Sequence, residues 1–226
     1  MKKKNLAILI ILPFILAACT QNQPKANQAQ GDLDENKPVN SINNEPETIP
    51  ELRDGEWQVD TQQSTLEWSA RRLVGSVHSG TVKIGIGNIK LDNSSASGKI
   101  VMDMASITDY DNTTRLIGHL KSDDFFSVDT FPTATLEIKA IQPPSPSYEE
   151  ANYNVIADLT IKDITNEIVF PAQVEVSDKT LTASAEFNID RTLWGIRYDS
   201  PKFYAELGDS IIKDEIEFKV KIIGEE

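Results

Sequence analysis

The chain has 226 residues and a formal net charge of −13, with a single cysteine and two histidines. This length suits one β domain with short extensions. The acidity argues against nucleic acid as a partner, because phosphate backbones would repel the chain, and a lone cysteine excludes an internal disulfide, a cysteine metal cluster and a CxxC redox motif.

The N-terminus carries a predicted export signal. Lys2, Lys3 and Lys4 form a basic segment, and residues 6–18 are almost continuously apolar. At about 1.5 Å per residue this run is too short to cross a hydrocarbon core of about 30 Å. Residues 1–18 are therefore predicted to be a signal peptide rather than a membrane-spanning helix.

The signal ends in a sequence that resembles a bacterial lipobox, with Leu16 and two alanines before Cys19. This predicts a lipidated Cys19 and membrane attachment through two or three acyl chains, since one chain binds only marginally. The alternative is an ordinary secretory signal with a chance cysteine. Because Thr20 is not acidic, the resemblance favours the outer membrane, on its periplasmic face or at the cell surface.

Residues 19–52 are predicted to form a flexible tether. The segment after Cys19 is rich in Gln, Asn, Pro, Glu and Asp and has no aromatic residue or periodic apolar pattern. Such a composition buries too little surface to offset the entropy lost on ordering. With random-coil scaling the tether would span roughly 30 Å on average.

After Trp57 apolar and polar residues alternate, which is typical of half-buried antiparallel strands. Eight or nine strands are predicted. Their inward-facing sets, in chain order, are Leu66, Trp68 and Ala70; Val82, Ile84 and Ile86; Ile100, Met102 and Met104; Ala134, Leu136, Ile138 and Ala140; Tyr153, Val155, Ala157, Leu159 and Ile161; Ile168, Phe170, Ala172, Val174 and Val176; Leu181, Ala183, Ala185, Phe187 and Ile189; and Ile216, Phe218, Val220 and Ile222.

Only residues 109–128 interrupt this β pattern. Leu116, Leu120 and Phe125 are spaced for a short amphipathic helix, which Asp111 or Asn112 could cap. Strands with one apolar face form either a sandwich or a closed barrel, and closure removes the sheet edges. Periodicity alone does not choose between the two.

Several motifs in order resemble the YceI-like family of polyisoprenoid-binding proteins. They cover roughly residues 55–223, and they are the segments 57–60 and 64–68, the turn 74–80, the stretches 120–126 and 131–135, the hairpin 158–171 and the signature 189–196 (IDRTLWGI). The family's usual glycine in the hairpin turn is Asp163 here, which leaves the turn geometry open.

The resemblance implies an all-β fold, an antiparallel eight-stranded lipocalin-like β-barrel over residues 53–226 with a short helix in one connection. It also implies a deep apolar interior that holds a long lipid such as an isoprenoid quinone or a polyprenyl lipid, and it implies no catalytic residues and no cofactor. Taken with the inward-facing pattern, the resemblance makes these residues candidates for lining the ligand: Trp68, Ile84, Ile100, Met102, Leu116, Leu120, Phe125, Leu159, Phe170, Phe187 and Trp194. For any one of them, filling a closed core is the alternative.

Arg191 or His119 could contact a ligand headgroup. The structural alternative for Arg191 is an ion pair with Asp190 or Glu206, and for His119 a surface or structural role. His78, the other histidine, admits the same two interpretations.

The sequence contains only weak candidates for a catalytic or a metal-binding site. Ser210 lies in a GDS sequence that resembles an esterase nucleophile block, but no histidine follows it, and its SxxK spacing lacks the companion motifs. Asp109 and Asp111 suggest a calcium loop without its required glycine and final acid, so a polar loop or helix cap is favoured and no metal site is predicted. Asp123 and Asp124 suit a turn better than paired glycosidase acids.

The sequence thus predicts a non-enzymatic binding protein, held to a membrane by its lipid anchor, that carries, stores or sequesters an isoprenoid lipid. A homodimer is plausible by analogy with related barrels. The competing functions are an inert envelope scaffold that docks a partner and, less favoured, a hydrolase.

Overall fold

The computed structural model describes residues 52–93, 95–144, 151–204, 206 and 208–226. The predicted signal peptide, the lipidation site Cys19 and all but the last residue of the predicted tether lie outside these residues. No helix in the described ranges is long and apolar enough to cross a membrane.

Strands dominate this part of the chain. In order they are β1 (Gly55–Val59), β2 (Thr65–Arg71), β3 (Val77–Thr81), β4 (Lys83–Asp92), β5 (Ser95–Asp103), β6 (Thr133–Gln142), β7 (Tyr153–Ile161), β8 (Ile164–Ser177), β9 (Thr180–Asp190) and β10 (Glu215–Glu225). One α-helix, α1 (Thr114–Lys121), and 3-10 helices at Met104–Ser106, Arg191–Trp194 and Gly208–Ser210 complete the fold.

Eight of these strands close into an antiparallel barrel, which confirms the predicted fold class. The ring runs β1-β4-β5-β6-β7-β8-β9-β10 and closes where β10 pairs with β1. The remaining two strands form a hairpin, in which β2 pairs with β10 through residues such as Trp68 opposite Phe218, and β3 continues outward from β2. The same edge of β10 therefore pairs with β2 along residues 217–221 and with β1 at residues 224–225.

The predicted inward faces of the later strands are confirmed. Along β7 every second residue from Tyr153 to Ile161 is buried. The predicted apolar residues of β8, β9 and β10 likewise belong to one hydrophobic core. The alternation works because successive side chains of a strand point to opposite faces of the sheet.

Two bulges correct the predicted faces of β4 and β6. In β4 the register shifts between Ile84 and Ile86, so Ile86 is 63% exposed rather than inward. In β6 the register shifts between Ile138 and Ala140, and Ile141 takes the inward position predicted for Ala140. One extra residue in a strand moves every following side chain to the opposite face.

The predicted helix is present, but its start differs from the prediction. The N-cap of α1 is Thr113, not Asp111 or Asn112. The carboxylate of Asp109 accepts the backbone N–H of Thr113 and so fixes the approach to the helix. Phe125 lies beyond the end of α1, and it is buried in the turn that follows.

One ladder of the barrel is incomplete. Strands β8 and β9 pair only between residues 173–177 and residues 180–184. Residues 164–172 of β8 are paired with β7 alone, and residues 185–190 of β9 are paired with β10 alone. We call this unpaired stretch between the two strands the β8–β9 seam.

Candidate ligand-binding cavity

The barrel encloses an apolar cavity with a volume of about 190 Å³. Every residue that borders it is apolar except Ser184 and Arg191. No histidine, cysteine or acidic residue of the described chain borders it. A wall of this kind favours hydrocarbon over polar ligands, because hydrocarbon leaves water without needing hydrogen-bond partners.

The cavity is long rather than round. On β9 its wall runs from Leu181 to Phe187, and on β10 from Ile222 to Ile216. At about 3.3 Å per strand residue, six steps correspond to roughly 20 Å. This length suits a chain-like molecule better than a compact one.

Small side chains create the space. Ala96, Ala134, Ala172, Ala183 and Ala185 all border the cavity, on four different strands. The sequence pattern already placed most of these alanines on inward faces, but it did not single them out as ligand-lining. Their size was the available signal, since an alanine at an inward position leaves room that a leucine would fill.

Nine of the eleven predicted ligand-lining residues border the cavity: Trp68, Ile84, Ile100, Met102, Leu120, Phe125, Leu159, Phe170 and Phe187. The structure places the other two elsewhere. Leu116 packs against the core from α1, and Trp194 is fully buried, with its indole N–H donating to the carbonyl of Leu159 at 3.0 Å. Contact with a ligand stays a prediction for all eleven.

Arg191 is engaged by the chain itself. Its guanidinium donates to the carbonyls of Lys213, Ile196 and Ile212 at 3.0–3.2 Å and lies 3.4 Å from a carboxylate oxygen of Asp214. Burial lowers the pKa of Arg191, and the nearby carboxylates, Asp214 foremost, oppose that shift. These contacts favour a structural role, although the side chain also borders the cavity.

The ion pairs considered for Arg191 from the sequence are corrected by the structure. Asp190 instead pairs with Lys202 and accepts the backbone N–H and hydroxyl of Thr192, so it caps the 3-10 helix that follows β9. Glu206 is exposed.

His119 lies on α1, outside the cavity wall, as part of a small polar and aromatic cluster. Its Nε2 is 2.8 Å from a carboxylate oxygen of Asp124, and its ring contacts Phe125 and Tyr198 edge-on. A headgroup contact by His119 or Arg191 stays a prediction.

Comparisons with known proteins agree with this architecture. A sequence model of the YceI-like domain family matches residues 57–223. A UPF0312 protein of Staphylococcus aureus (strain bovine RF122 / ET3-1) is 29% identical over 108 residues, which is 45% of this chain and 56% of that relative. The match therefore spans about half the length of each protein.

Two solved structures share the fold. BcnA of Burkholderia cenocepacia superposes with a TM-score of 0.59 at 23% identity, covering 73% of this chain and 98% of BcnA. A polyisoprenoid binding domain from Saccharophagus degradans, implicated in plant cell wall breakdown, superposes with a TM-score of 0.55 at 12% identity, covering 75% and 97%. At these identities the likeness concerns the fold alone.

Proposed function

Because the chain belongs to the YceI-like domain family, we propose that it is a binding protein whose barrel interior holds one long apolar lipid, an isoprenoid quinone or a polyprenyl lipid. The observation that carries this proposal is the roughly 20 Å wall of apolar side chains, interrupted only by Ser184 and Arg191. Each Å² of hydrocarbon removed from water contributes about 25 cal/mol. A long chain therefore binds such a wall without precisely placed polar groups.

The name of the Saccharophagus degradans relative supports the choice of ligand class, since that protein is described as polyisoprenoid-binding. The cavity also lacks the side chains that most hydrolases need, because the described residues place no acid, histidine or cysteine on its wall. Binding for carriage, storage or sequestration is therefore the function we propose, rather than catalysis.

Native mass spectrometry of the full chain tests the ligand. The protein is purified in mild detergent from its own host, and bound lipid is extracted and identified. We expect one prenyl lipid per chain. A protein that carries no lipid, and takes up none from quinones of several chain lengths, would favour the scaffold function instead. The same spectrum tests the proposed homodimer.

A pair of alanine variants makes this test specific to the cavity. Ala185→Phe places a large ring at an alanine that borders the cavity, whereas Ala140→Phe makes the same change at a β6 alanine that does not border it. We expect Ala185→Phe to lose most of the bound lipid and Ala140→Phe to retain it. Equal lipid content in the two variants would contradict binding in the barrel interior.

We further propose that lipids on Cys19 hold the protein at the outer membrane. The lipobox-like sequence before Cys19 supports this. Metabolic labelling with an alkyne fatty acid should label the wild type and not Cys19→Ser, and density-gradient fractionation should place the labelled protein with outer-membrane vesicles. Labelling of Cys19→Ser, or recovery of the wild type with the inner membrane, would contradict the corresponding part of the proposal.

A further inference from the structure

The β8–β9 seam is a gap in the barrel wall between two strands that are otherwise held in place. Residues 164–172 keep their hydrogen-bonded pairing with β7, and residues 185–190 keep theirs with β10. Neither strand has ended at the seam. The two edges therefore face each other without the backbone bonds that seal the other joints of the ring.

Aromatic side chains close this gap. The rings of Phe170 on β8 and Phe187 on β9 are stacked, with centroids 4.4 Å apart and planes 18° from parallel, and Phe187 also contacts Phe218 at 5.7 Å. Ring contacts are less directional than backbone hydrogen bonds and can separate by rotation of side-chain torsions. The seam can therefore open without breaking a ladder.

A groove on the outer surface lies over the seam. It is bordered by Val169 and Pro171 on β8 and by Glu186 on β9. Trp68, Phe187 and Phe218 border both this groove and the interior cavity. One layer of aromatic side chains thus separates the inside of the barrel from the outside at this place.

Two further observations show how near the cavity comes to the surface here. Ser184 is exposed and belongs to the last β8–β9 pair, opposite Gln173, yet it also borders the interior cavity. Val169, at the rim of the outer groove, is 58% exposed and apolar. The cavity, the seam and the groove are therefore continuous except for the aromatic rings.

We propose that the β8–β9 seam is a side entrance through which the hydrocarbon chain of a lipid enters the barrel. Phe170 and Phe187 move apart, the chain passes sideways between β8 and β9, and the rings close behind it. This inference rests on the proposed lipid-binding function. The groove supplies apolar contacts for the chain on its way in, and its polar rim leaves a headgroup in water.

A reversible cross-link across the seam tests the entrance. Val169→Cys/Glu186→Cys places thiols on the two sides of the groove, where a short bis-thiosulfonate reagent can join them. The matched control, Glu175→Cys/Thr182→Cys, joins the same two strands at directly opposite residues of their intact ladder. Both are made in the full chain, and binding of a fluorescent geranylgeranyl probe is followed by stopped flow.

We expect the seam cross-link to slow association of the probe at least tenfold, with recovery after reduction, and the control cross-link to change it less than twofold. Association that is equally fast with and without the seam cross-link would overturn the side entrance and place entry at an end of the barrel. If the unlinked protein binds no probe at all, the proposed function itself fails and the entrance with it.

Opening the seam gives an independent check that does not depend on cross-linking. Phe187→Ala removes one of the stacked rings, whereas Val176→Ala shortens a side chain in the paired half of β8 that does not border the cavity. We expect Phe187→Ala to raise the association and dissociation rates more than threefold each, and Val176→Ala to leave the association rate unchanged. Unchanged rates in Phe187→Ala would contradict a gating role for the rings.

A second and unrelated feature lies outside the cavity. His78 on β3 faces Asp109 and Asp111 in the segment that runs along β3, and one ligand atom from each residue lies within 4.8 Å of the others. Backbone bonds from Thr108 to Thr81 and from Tyr110 to Ser79 hold this segment in place. The three side chains are therefore brought together by well-fixed backbone.

Two buried atoms in this cluster have no hydrogen-bond partner among the described residues: Nδ1 of His78 and Oδ1 of Asp109. They are 3.7 Å apart, which is too long for a hydrogen bond. The Asp109 side chain is only 1% exposed, and its other oxygen accepts the N–H of Thr113. Burial raises the pKa of Asp109, but the hydrogen bonds from Thr113 and, when its ring is protonated, the charge of His78 outweigh it and hold the pKa below its usual value.

The other histidine gives a direct contrast. His119 Nε2 lies 2.8 Å from the carboxylate of Asp124, which is an ordinary hydrogen-bonded pair near the surface. At His78 the Nε2 atom is 3.1 Å from the hydroxyl of Ser76. If that nitrogen donates its hydrogen, the Nδ1 lone pair faces the Asp109 carboxylate, an arrangement that a cation between them would stabilise.

We infer that His78, Asp109 and Asp111 bind one divalent first-row transition ion of the Zn²⁺ class, with water completing the coordination. Nitrogen and oxygen ligands at about 2.0 Å from a tetrahedral zinc ion are roughly 3.3 Å apart. The 3.7 Å between His78 and Asp109 is close to this value, and the three ligand atoms, all within 4.8 Å of one another, need only a small approach. The imidazole ligand disfavours Ca²⁺ and Mg²⁺, which take oxygen ligands.

Because the chain has only two histidines, NMR of the full chain labelled with ¹⁵N-histidine tests this site without any mutation. The protein is stripped with a chelator and titrated with zinc chloride. We expect the ring nitrogens of His78 to shift and saturate at one equivalent, while those of His119 stay unchanged. No response of His78, or an equal response of both histidines, would overturn the site.

An affinity comparison separates binding from folding. Asp111 is exposed, so Asp111→Asn should fold as the wild type does, and Asp124→Asn is the matched change beside His119. We expect Asp111→Asn to weaken zinc binding at least tenfold in calorimetry and Asp124→Asn to leave it unchanged. Equal affinity in the two variants would exclude Asp111 as a ligand and overturn the three-residue site.

Discussion

The two halves of strand β8 differ in how they are joined to the barrel. Residues 173–177 pair with β9, whereas residues 164–172 pair with β7 and face the seam on their other side. Both halves carry the same inward apolar pattern. The same apolar face therefore occurs with and without a β9 partner. An apolar face places a strand in the barrel wall, but only backbone pairing with the next strand closes the wall at that position.

The far end of the seam is tied by side-chain contacts from the 3-10 helix Arg191–Trp194, which directly follows β9. The amide of Asn166 on β8 donates to the carbonyl of Leu193, and Trp194 donates to the carbonyl of Leu159 on β7. Gly195 ends this helix in the left-handed region, at a φ of 71°. The IDRTLWGI signature thus reconnects β9 to β7 and β8 where the ladder has stopped.

Removing Arg191, which joins the signature to residues 212–214, should have the largest effect. Arg191→Met leaves the three carbonyls and the largely buried carboxylate of Asp214 without their cation. We expect a loss of about 3–5 kcal/mol in the free energy of unfolding, measured by urea denaturation. Arg197→Met, which removes an exposed arginine over the ring of Phe203, should cost about 1 kcal/mol or less.

The double variant Arg191→Met/Asp214→Leu sharpens this prediction. Because the penalty comes from a buried charge left alone, removing both charges should recover most of the lost stability. A double variant as unstable as Arg191→Met would show that the hydrogen bonds to the carbonyls, not the uncompensated carboxylate, dominate.

Trp194→Phe should have a smaller effect that is confined to the seam. It removes the N–H that reaches Leu159 and leaves that carbonyl without its indole donor, which costs about 1–3 kcal/mol. Trp57→Phe is the matched change, because the Trp57 indole donates to the carbonyl of Lys179 at 3.1 Å, beyond the paired end of β8 and β9. Hydrogen exchange should rise in residues 164–172 for Trp194→Phe only, and a rise in both variants would contradict this.

A stabilising substitution in the turn that joins β8 to β7 should have the smallest effect. The β7–β8 turn consists of Lys162 and Asp163, both in the left-handed region with φ of 51° and 58°. This is the two-residue hairpin turn that favours glycine at its second position. Asp163→Gly should therefore raise the unfolding free energy by about 0.5–1 kcal/mol in thermal melts. A loss of stability would mean that the Asp163 side chain contributes more than its backbone geometry costs.

Much of the fold could be predicted from the sequence because half-buried strands show an alternation of apolar and polar residues. The inward faces of β7 to β10 follow from a period of two alone, and the short helix follows from the spacing of Leu116 and Leu120. The predicted faces fail at Ile86 and Ala140, where a bulge inserts one residue. Gly85, at the first bulge, was the available signal.

One residue of the sequence, Pro171, also indicated the unpaired stretch of β8. Pro171 has no N–H to donate, and proline within a sheet belongs at edges or bulges. It lies in the half of β8 that has no β9 partner, two residues before the pairing begins at Gln173. The hairpin motif 158–171 contains this proline, but the motif alone did not indicate that β8 lacks a β9 partner there.

The sequence by itself determined the all-β class through its alternation, and the barrel family with its apolar interior through its ordered motifs, because both are patterns between near neighbours in the chain. Tertiary structure alone decided that Arg191 meets Asp214, that His78 meets Asp109 at 3.7 Å, and that β8 and β9 part beyond Ser184. The physical reason is that these features depend on strand register and closure. A single inserted residue or a missing ladder changes them while leaving the local pattern of apolar and polar residues intact.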